Sequence, residues 1–239
     1  MTPARPGAES AQMEVERMAS CGPFRPVAAF GRAAQTTLAT SASIGQTALK
    51  VNSTAGFSLG AHVFTSDADD MNFQYNGPIA GLDTEKKEIL ATWGLAHARA
   101  AGAKLWTPIA AAAFRRGATD RIRRVRNTGA RTEVTRGGQV FTTRAADAFE
   151  TLEMVSNEGS PADCRNWRDF LVNHRGEGVQ SFTFAFWDFQ ESEAAGQSRC
   201  AEARWAGPDL VFEIADGVAQ LARYAIALYI VAWDRYVDE

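Results

Sequence analysis

Between residues 45 and 107 the chain is cut into short pieces of alternating apolar and polar residues, each closed by turn formers. That rhythm limits the segment to a small β structure. Residues 47–51 (Thr-Ala-Leu-Lys-Val) read as a half-buried strand, and residues 53–56 (Ser-Thr-Ala-Gly) as a turn. A second apolar stretch covers 61–64, followed by an acidic loop over 66–70. Strands are expected over 78–83 and 88–93, with the polar Thr-Glu-Lys-Lys of 84–87 as their hairpin loop, and again over 103–107 after Gly102. Five or six strands in about 65 residues suit a compact barrel near the lower limit for independent folding.

The last 100 or so residues predict a sandwich with one helix. Ser160 can cap that helix, Pro161 suits its first position and Asp163 lies in its first turn, where negative charge is favoured. Cys164, Trp167, Phe170, Leu171 and His174 share one face at helical spacing, and Gly176 can end it. Strands are expected over 148–155, 181–186 with Phe182, Phe184 and Phe186 on one face, 200–205, 210–214 and 224–233. The alanines of 224–233 also permit a helix, but its β-formers and its strand neighbours favour a strand. Residues 1–40, rich in Ala, Pro, Gly and Ser, read as an irregular arm.

Composition narrows the function classes. With 46% hydrophobic and 22% charged residues the chain is ordinary globular material. A net charge of −3 weighs against a dedicated nucleic-acid binder. No secretory leader is expected in residues 1–20, and the longest apolar run, 224–233, is far short of the ~20 residues that cross a bilayer. The three cysteines, Cys21, Cys164 and Cys200, are widely spaced and read as ordinary thiols in a reduced compartment.

No nucleophile elbow, phosphate loop, dinucleotide fingerprint or metalloprotease helix occurs, so no enzyme activity, catalytic residue, cofactor or metal is expected. His62 and His174 read as packed residues and His97 as exposed. Asp67, Asp69 and Asp70 lack the glycine and distal glutamate of a calcium loop, and Glu191 and Glu193 have no fixed separation as a glycosidase pair. The one functional-looking charge feature is a run of arginines: Arg115, Arg116, Arg121, Arg123, Arg124, Arg126, Arg131 and Arg136. The bland reading is a solvated strand paired with acids such as Glu150 and Glu153. The functional one is an interface stripe, since Arg makes directional contacts across protein surfaces, with Arg115, Arg116, Arg121, Arg123, Arg124 and Arg126 as the candidates.

Two stretches resemble a known family. Residues 45–60 (Gly-Gln-Thr-Ala-Leu-Lys-Val-Asn-Ser-Thr-Ala-Gly-Phe-Ser-Leu-Gly), with Pro-Ile-Ala-Gly-Leu-Asp at 78–83 and Gly-Ala-Lys-Leu-Trp-Thr-Pro at 102–108, are similar to the small β insertion of tail proteins from siphophages and gene transfer agents. Residues 167–184, in which Phe170-Leu and Arg175-Gly precede a Phe-rich strand, resemble the belt domain of distal tail proteins. The resemblance covers about half the chain. It implies a mainly β fold: a β-sandwich belt domain with one helix over 161–174, plus a small inserted β-barrel. The corresponding division is 1–43 as N-terminal arm and first part of the belt, 44–110 as the barrel, and 111–239 as the belt.

It further implies a structural virion protein at the tail tip, made in the host cytoplasm. Its copies would form a homohexameric ring between the tail tube protein and the baseplate hub or tail-tip proteins, without direct nucleic-acid contact or membrane insertion. A baseplate hub or other minor tail protein is the neighbouring reading. A carbohydrate-binding β-sandwich module is the alternative from another class.

Overall fold

The computed structural model describes residues 26–113, 121–127, 130–134, 140–144, 149–155, 161–174, 180–187, 198–206, 211–216 and 221–238. The chain is mainly β, with antiparallel sheets and a single short helix among the described residues.

The first strand, β1 (Val27–Phe30), belongs to the larger sheet. Six strands of a smaller sheet follow: β2 (Ala34–Thr37), β3 (Ala48–Lys50), β4 (His62–Ser66), β5 (Gln74–Asp83), β6 (Glu88–Ala91) and β7 (Lys104–Thr107). Their order across that sheet is β2-β7-β4-β5-β6-β3. It closes on itself through a bridge between Leu38 and Val51, flanked by Ala39 N–H to Lys50 O (2.9 Å) and Asn52 N–H to Thr37 O (2.9 Å). Closure removes the exposed edges that a six-stranded sheet would otherwise present. Inside lie Leu38, Leu49, Val51, Phe57, Val63, Ile79, Ile89 and Leu105. Strand β5 serves two neighbours, pairing β4 with its first half and β6 with its second, and Gly77 turns the corner with φ of 82°. Thr92 and Trp93 press on Gly77, so a side chain there would meet both strain and crowding.

The chain then returns to the larger sheet as β8 (Ala110–Ala113), which pairs antiparallel with β1. The barrel is therefore inserted between two hydrogen-bonded neighbours. Its paired strands run from Ala34–Thr37 to Lys104–Thr107. Ala34–Thr37 pairs with β7, and Ala110–Ala113 has already rejoined the other sheet.

The remaining strands are β9 (Arg121–Asn127), β10 (Ala130–Val134), β11 (Val140–Arg144), β12 (Phe149–Val155), β13 (Phe182–Trp187), β14 (Ser198–Trp205), β15 (Val211–Asp216) and β16 (Leu221–Trp233). The larger sheet runs β8-β1-β13-β14-β16-β12-β9, with β15 also on β16, while β10 and β11 form a separate pair. Strand β16 is long enough to hold three partners in different registers, which is why it is a strand despite its alanines.

The helix α1 (Pro161–Asp169) starts at the predicted proline and continues as a π-helical turn over Phe170–His174. It packs against β16 and against β8, which lie far apart in the strand order, so the sheet curves around it. Trp167, Phe170, Leu171, Phe182 and Phe184 are fully buried there. Each such side chain contributes about 1.5–3 kcal/mol through burial. The opposite face of the same strands carries small residues: Val27, Ala29, Ala185 and Cys200. Small side chains let the barrel's Phe64, Tyr75 and Trp106 approach the sheet closely, and these residues form one seam with Tyr236.

Candidate functional site

Arginine in a strand is favoured where one edge meets solvent, because a charged edge resists unwanted pairing. Strand β9 fits that setting. It is the terminal strand of the larger sheet and pairs only with β12 among the described residues. Four of the expected interface residues, Arg121, Arg123, Arg124 and Arg126, lie on this one strand. Arg115 and Arg116 lie outside the described residues, as does Arg136. The register puts Arg123 opposite Glu153 and Arg126 opposite Glu150, and puts Arg121 opposite Val155 and Arg124 opposite Leu152. Direct cross-strand neighbours interact, and opposite charges there are favourable. By register alone, Arg123 and Arg126 have an acid at the paired position, whereas Arg121 and Arg124 do not.

A second polar centre, which no motif announces, lies at the seam between barrel and sheet. Arg32 lies 4.3 Å from the Trp106 ring centroid and 5.7 Å from that of Tyr236. Its guanidinium also pairs with Asp70 (3.0 Å) and Asp238 (2.8 Å). Lys104 pairs with the same Asp70. Tyr236 is buried, stacks edge-on against Trp106 with centroids 5.0 Å apart, and donates its hydroxyl to Gly31 O at 2.9 Å. Burial pushes the Tyr236 hydroxyl well above its ordinary range. Val237 N–H donates to Thr183 Oγ1 (2.6 Å), and Gly31 N–H to Val237 O (3.1 Å). The segment after β16 therefore acts as a strap holding barrel and sheet together. Lone residues such as Arg32 and Tyr236 carry no spacing signal, so only the fold reveals them.

The acidic loop is spent on structure. Asp67 accepts from Asn72 (2.6 Å) and from the fully buried Arg99 (2.5 Å). Desolvation alone would raise the Asp67 carboxyl, but those hydrogen bonds and the Arg99 charge outweigh it and hold it below its usual value. Asp70 behaves alike: desolvation opposes, while Lys104 and Arg32 prevail. Among the described residues no group of three His, Cys, Asp or Glu side chains is placed to hold a metal ion. His62 Nδ1 lies 2.5 Å from the Tyr75 hydroxyl, and burial lowers its pKa to about 4. His97 is exposed, His174 closes the π turn, and Glu191 and Glu193 lie outside the described residues.

Several aromatics point into the two cores. Trp106 and Trp167 are buried, Trp205 and Trp233 pack against the core, and Tyr229 is exposed. Cys164 and Cys200 are buried free thiols, and burial pushes Cys200 far above its ordinary range. The chain matches no protein-family model and no curated protein.

Proposed function

We propose that the chain is a structural subunit of a long-tailed phage tail: a distal tail protein whose copies form a ring, a hexamer, joining the tail tube to the tail tip. The observation that carries this reading is topological. A small closed barrel is inserted between two paired strands of a larger, open sheet, and that sheet ends in an arginine-bearing edge strand. Such a subunit has one part complete in itself and one part whose edge a neighbour can extend. The buried Trp106 and Trp167, and the ion-paired Asp67 and Asp70, are consistent with a role in assembly.

The test is the mass of the purified protein in solution. A closed ring of about six copies supports the reading, and a monomer at all accessible concentrations refutes it. Substituting Arg121→Glu together with Arg124→Glu changes the two arginines with no acid directly across. The ring should fall apart while far-UV circular dichroism stays unchanged. A ring that survives the double substitution removes these arginines from the interface.

A further inference from the structure

Barrel and sheet are joined covalently at a neck of two short crossings. Strand β1 ends at Phe30 and β2 begins at Ala34, while β7 ends at Thr107 and β8 begins at Ala110. Hydrogen bonds flank the neck on both sides, Ala33 N–H to Thr107 O (2.8 Å) and Ile109 N–H to Phe30 O (2.9 Å). The longer crossing begins with Gly31 at φ of 66°, and the shorter contains Pro108, which has no N–H to give. The Ile109 side chain lies so close to Gly31 that a Cβ there would come within 2.6 Å of it. The ladder is thus interrupted at one point, at a residue free to absorb a large change of φ and ψ, as a hinge requires.

The segment that closes over the seam is tied to the sheet and the neck, not to the barrel backbone. Asp234 N–H donates to Cys200 O (2.7 Å), Val237 N–H to Thr183 Oγ1 (2.6 Å), and Gly31 N–H to Val237 O (3.1 Å). Among the described residues no backbone hydrogen bond runs from 234–238 to strands β2 to β7. Side chains alone hold the barrel. The Tyr236 ring lies against Phe64 and Trp106, with centroids 5.2 and 5.0 Å away, and Asp238 acts through Arg32, which also grips Asp70 of the barrel. Beneath the barrel the sheet presents Val27, Ala29, Ala185 and Cys200, small residues that do not interlock deeply with the rings above them.

We infer that the neck is a hinge and that residues 234–238 with Arg32 are its latch: released, the barrel swings off the sheet and uncovers Phe64, Tyr75, Trp106 and Cys200 while both cores stay closed. The inference does not depend on the ring reading. Each body keeps a core of its own, one around Leu49 and Ile89 and the other around Trp167 and Phe184, so opening costs only the seam. Hinge motions are fast beside thiol chemistry, so the labelling rate of a seam thiol reports the open fraction.

The chain carries its own reporters. Cys200 is buried under the barrel, where burial pushes its thiol far above its ordinary range and keeps it inert, and Cys164 is buried in the helix-covered core. With Cys21→Ser as background, these are the two thiols left of three. The experiment labels them with DTNB in native buffer at about pH 8, near the ordinary thiol value, and reads each by peptide mass. Cys200 should react at least about tenfold faster than Cys164. Arg32→Ala, or Asp238→Asn should the first variant fail to fold, should raise the Cys200 rate by a further factor of about three or more and leave Cys164 unchanged. A second chain moves the seam thiol one strand further from β16 by exchanging two register partners, Ala185→Cys with Cys200→Ala, which keeps the packed volume nearly constant. Labelling at position 185 as fast as at Cys200 supports the swing of the whole barrel. A fast Cys200 with a slow thiol at 185 means that the strap frays while the barrel stays, and overturns the hinge. Labelling of Cys200 no faster than Cys164, or unmoved by the latch variants, overturns the inference as well.

Discussion

His62 shows how one side chain can set a pH window for the whole barrel. Burial beside Tyr75 lowers its folded pKa from 6.5 to about 4, so the folded chain keeps the ring neutral. As pH falls below 6.5 the unfolded chain takes up a proton that the folded chain refuses, and stability is lost progressively until about pH 4. The loss is at most about 3 kcal/mol, reduced by whatever water still reaches the half-buried ring. The carboxyls of Asp67 and Asp70, held below their ordinary value of 3.8, act in a lower window, where protonation breaks their pairs with Arg99, Arg32 and Lys104. Urea titrations at pH 7, 5.5 and 4.5 should therefore show falling midpoints for the parent. His62→Gln should lack most of that slope, and an equal slope in both proteins would place its origin elsewhere.

The elements that could be read from sequence are those whose side chains alternate against a single core. Strands β3 to β7 show this in Leu49, Val63, Ile89 and Leu105, each buried in the barrel core. Strands β1 and β8 gave no such signal. Their alanines are poor strand formers, and they serve close approach: β1 is buried on both faces, against α1 and against the barrel. Strand β2 (Ala-Gln-Thr-Thr) was missed because it is nearly polar and is recruited by pairing with β7. Backbone proximity is equally silent in sequence. Gly94 lies against the Gly45 backbone so tightly that a Cβ there would overlap it, whereas Gly60, with φ of 79°, has open space around it. Gly60→Ala should cost only the left-handed strain of about 1–2 kcal/mol. Gly94→Ala must push two backbone segments apart and should cost more, about 2–3 kcal/mol. Chemical denaturation of the two variants compares them directly, and an equal or reversed order would contradict the close contact.

At the scale of the whole molecule the issue is whether barrel and sheet are one cooperative unit. Each has a core of its own, one around Leu49 and Ile89 and the other around Trp167 and Phe184, so each could unfold alone. What joins them is the seam: Phe64, Tyr75 and Trp106 against Ala29, Ala185 and Cys200, with Tyr236 wedged between and Arg32 bridging Asp70 and Asp238. The two chain crossings at β1 and β8 supply a tether but little burial, so coupling depends on these side chains. Removing a buried aromatic ring costs about 3–5 kcal/mol, and Tyr236→Ala takes that loss from the seam rather than from either core. The parent chain should unfold in a single transition, with tryptophan fluorescence and far-UV circular dichroism coincident. Tyr236→Ala should separate the two probes, because Trp106 reports the seam and Trp167 the helix-covered core. Adding Arg32→Ala, which removes the stacked guanidinium and both of its ion pairs, should widen the gap. If the double variant still melts in one step, the crossings alone couple the halves, and the strap after β16 is an ornament of the fold rather than its fastening.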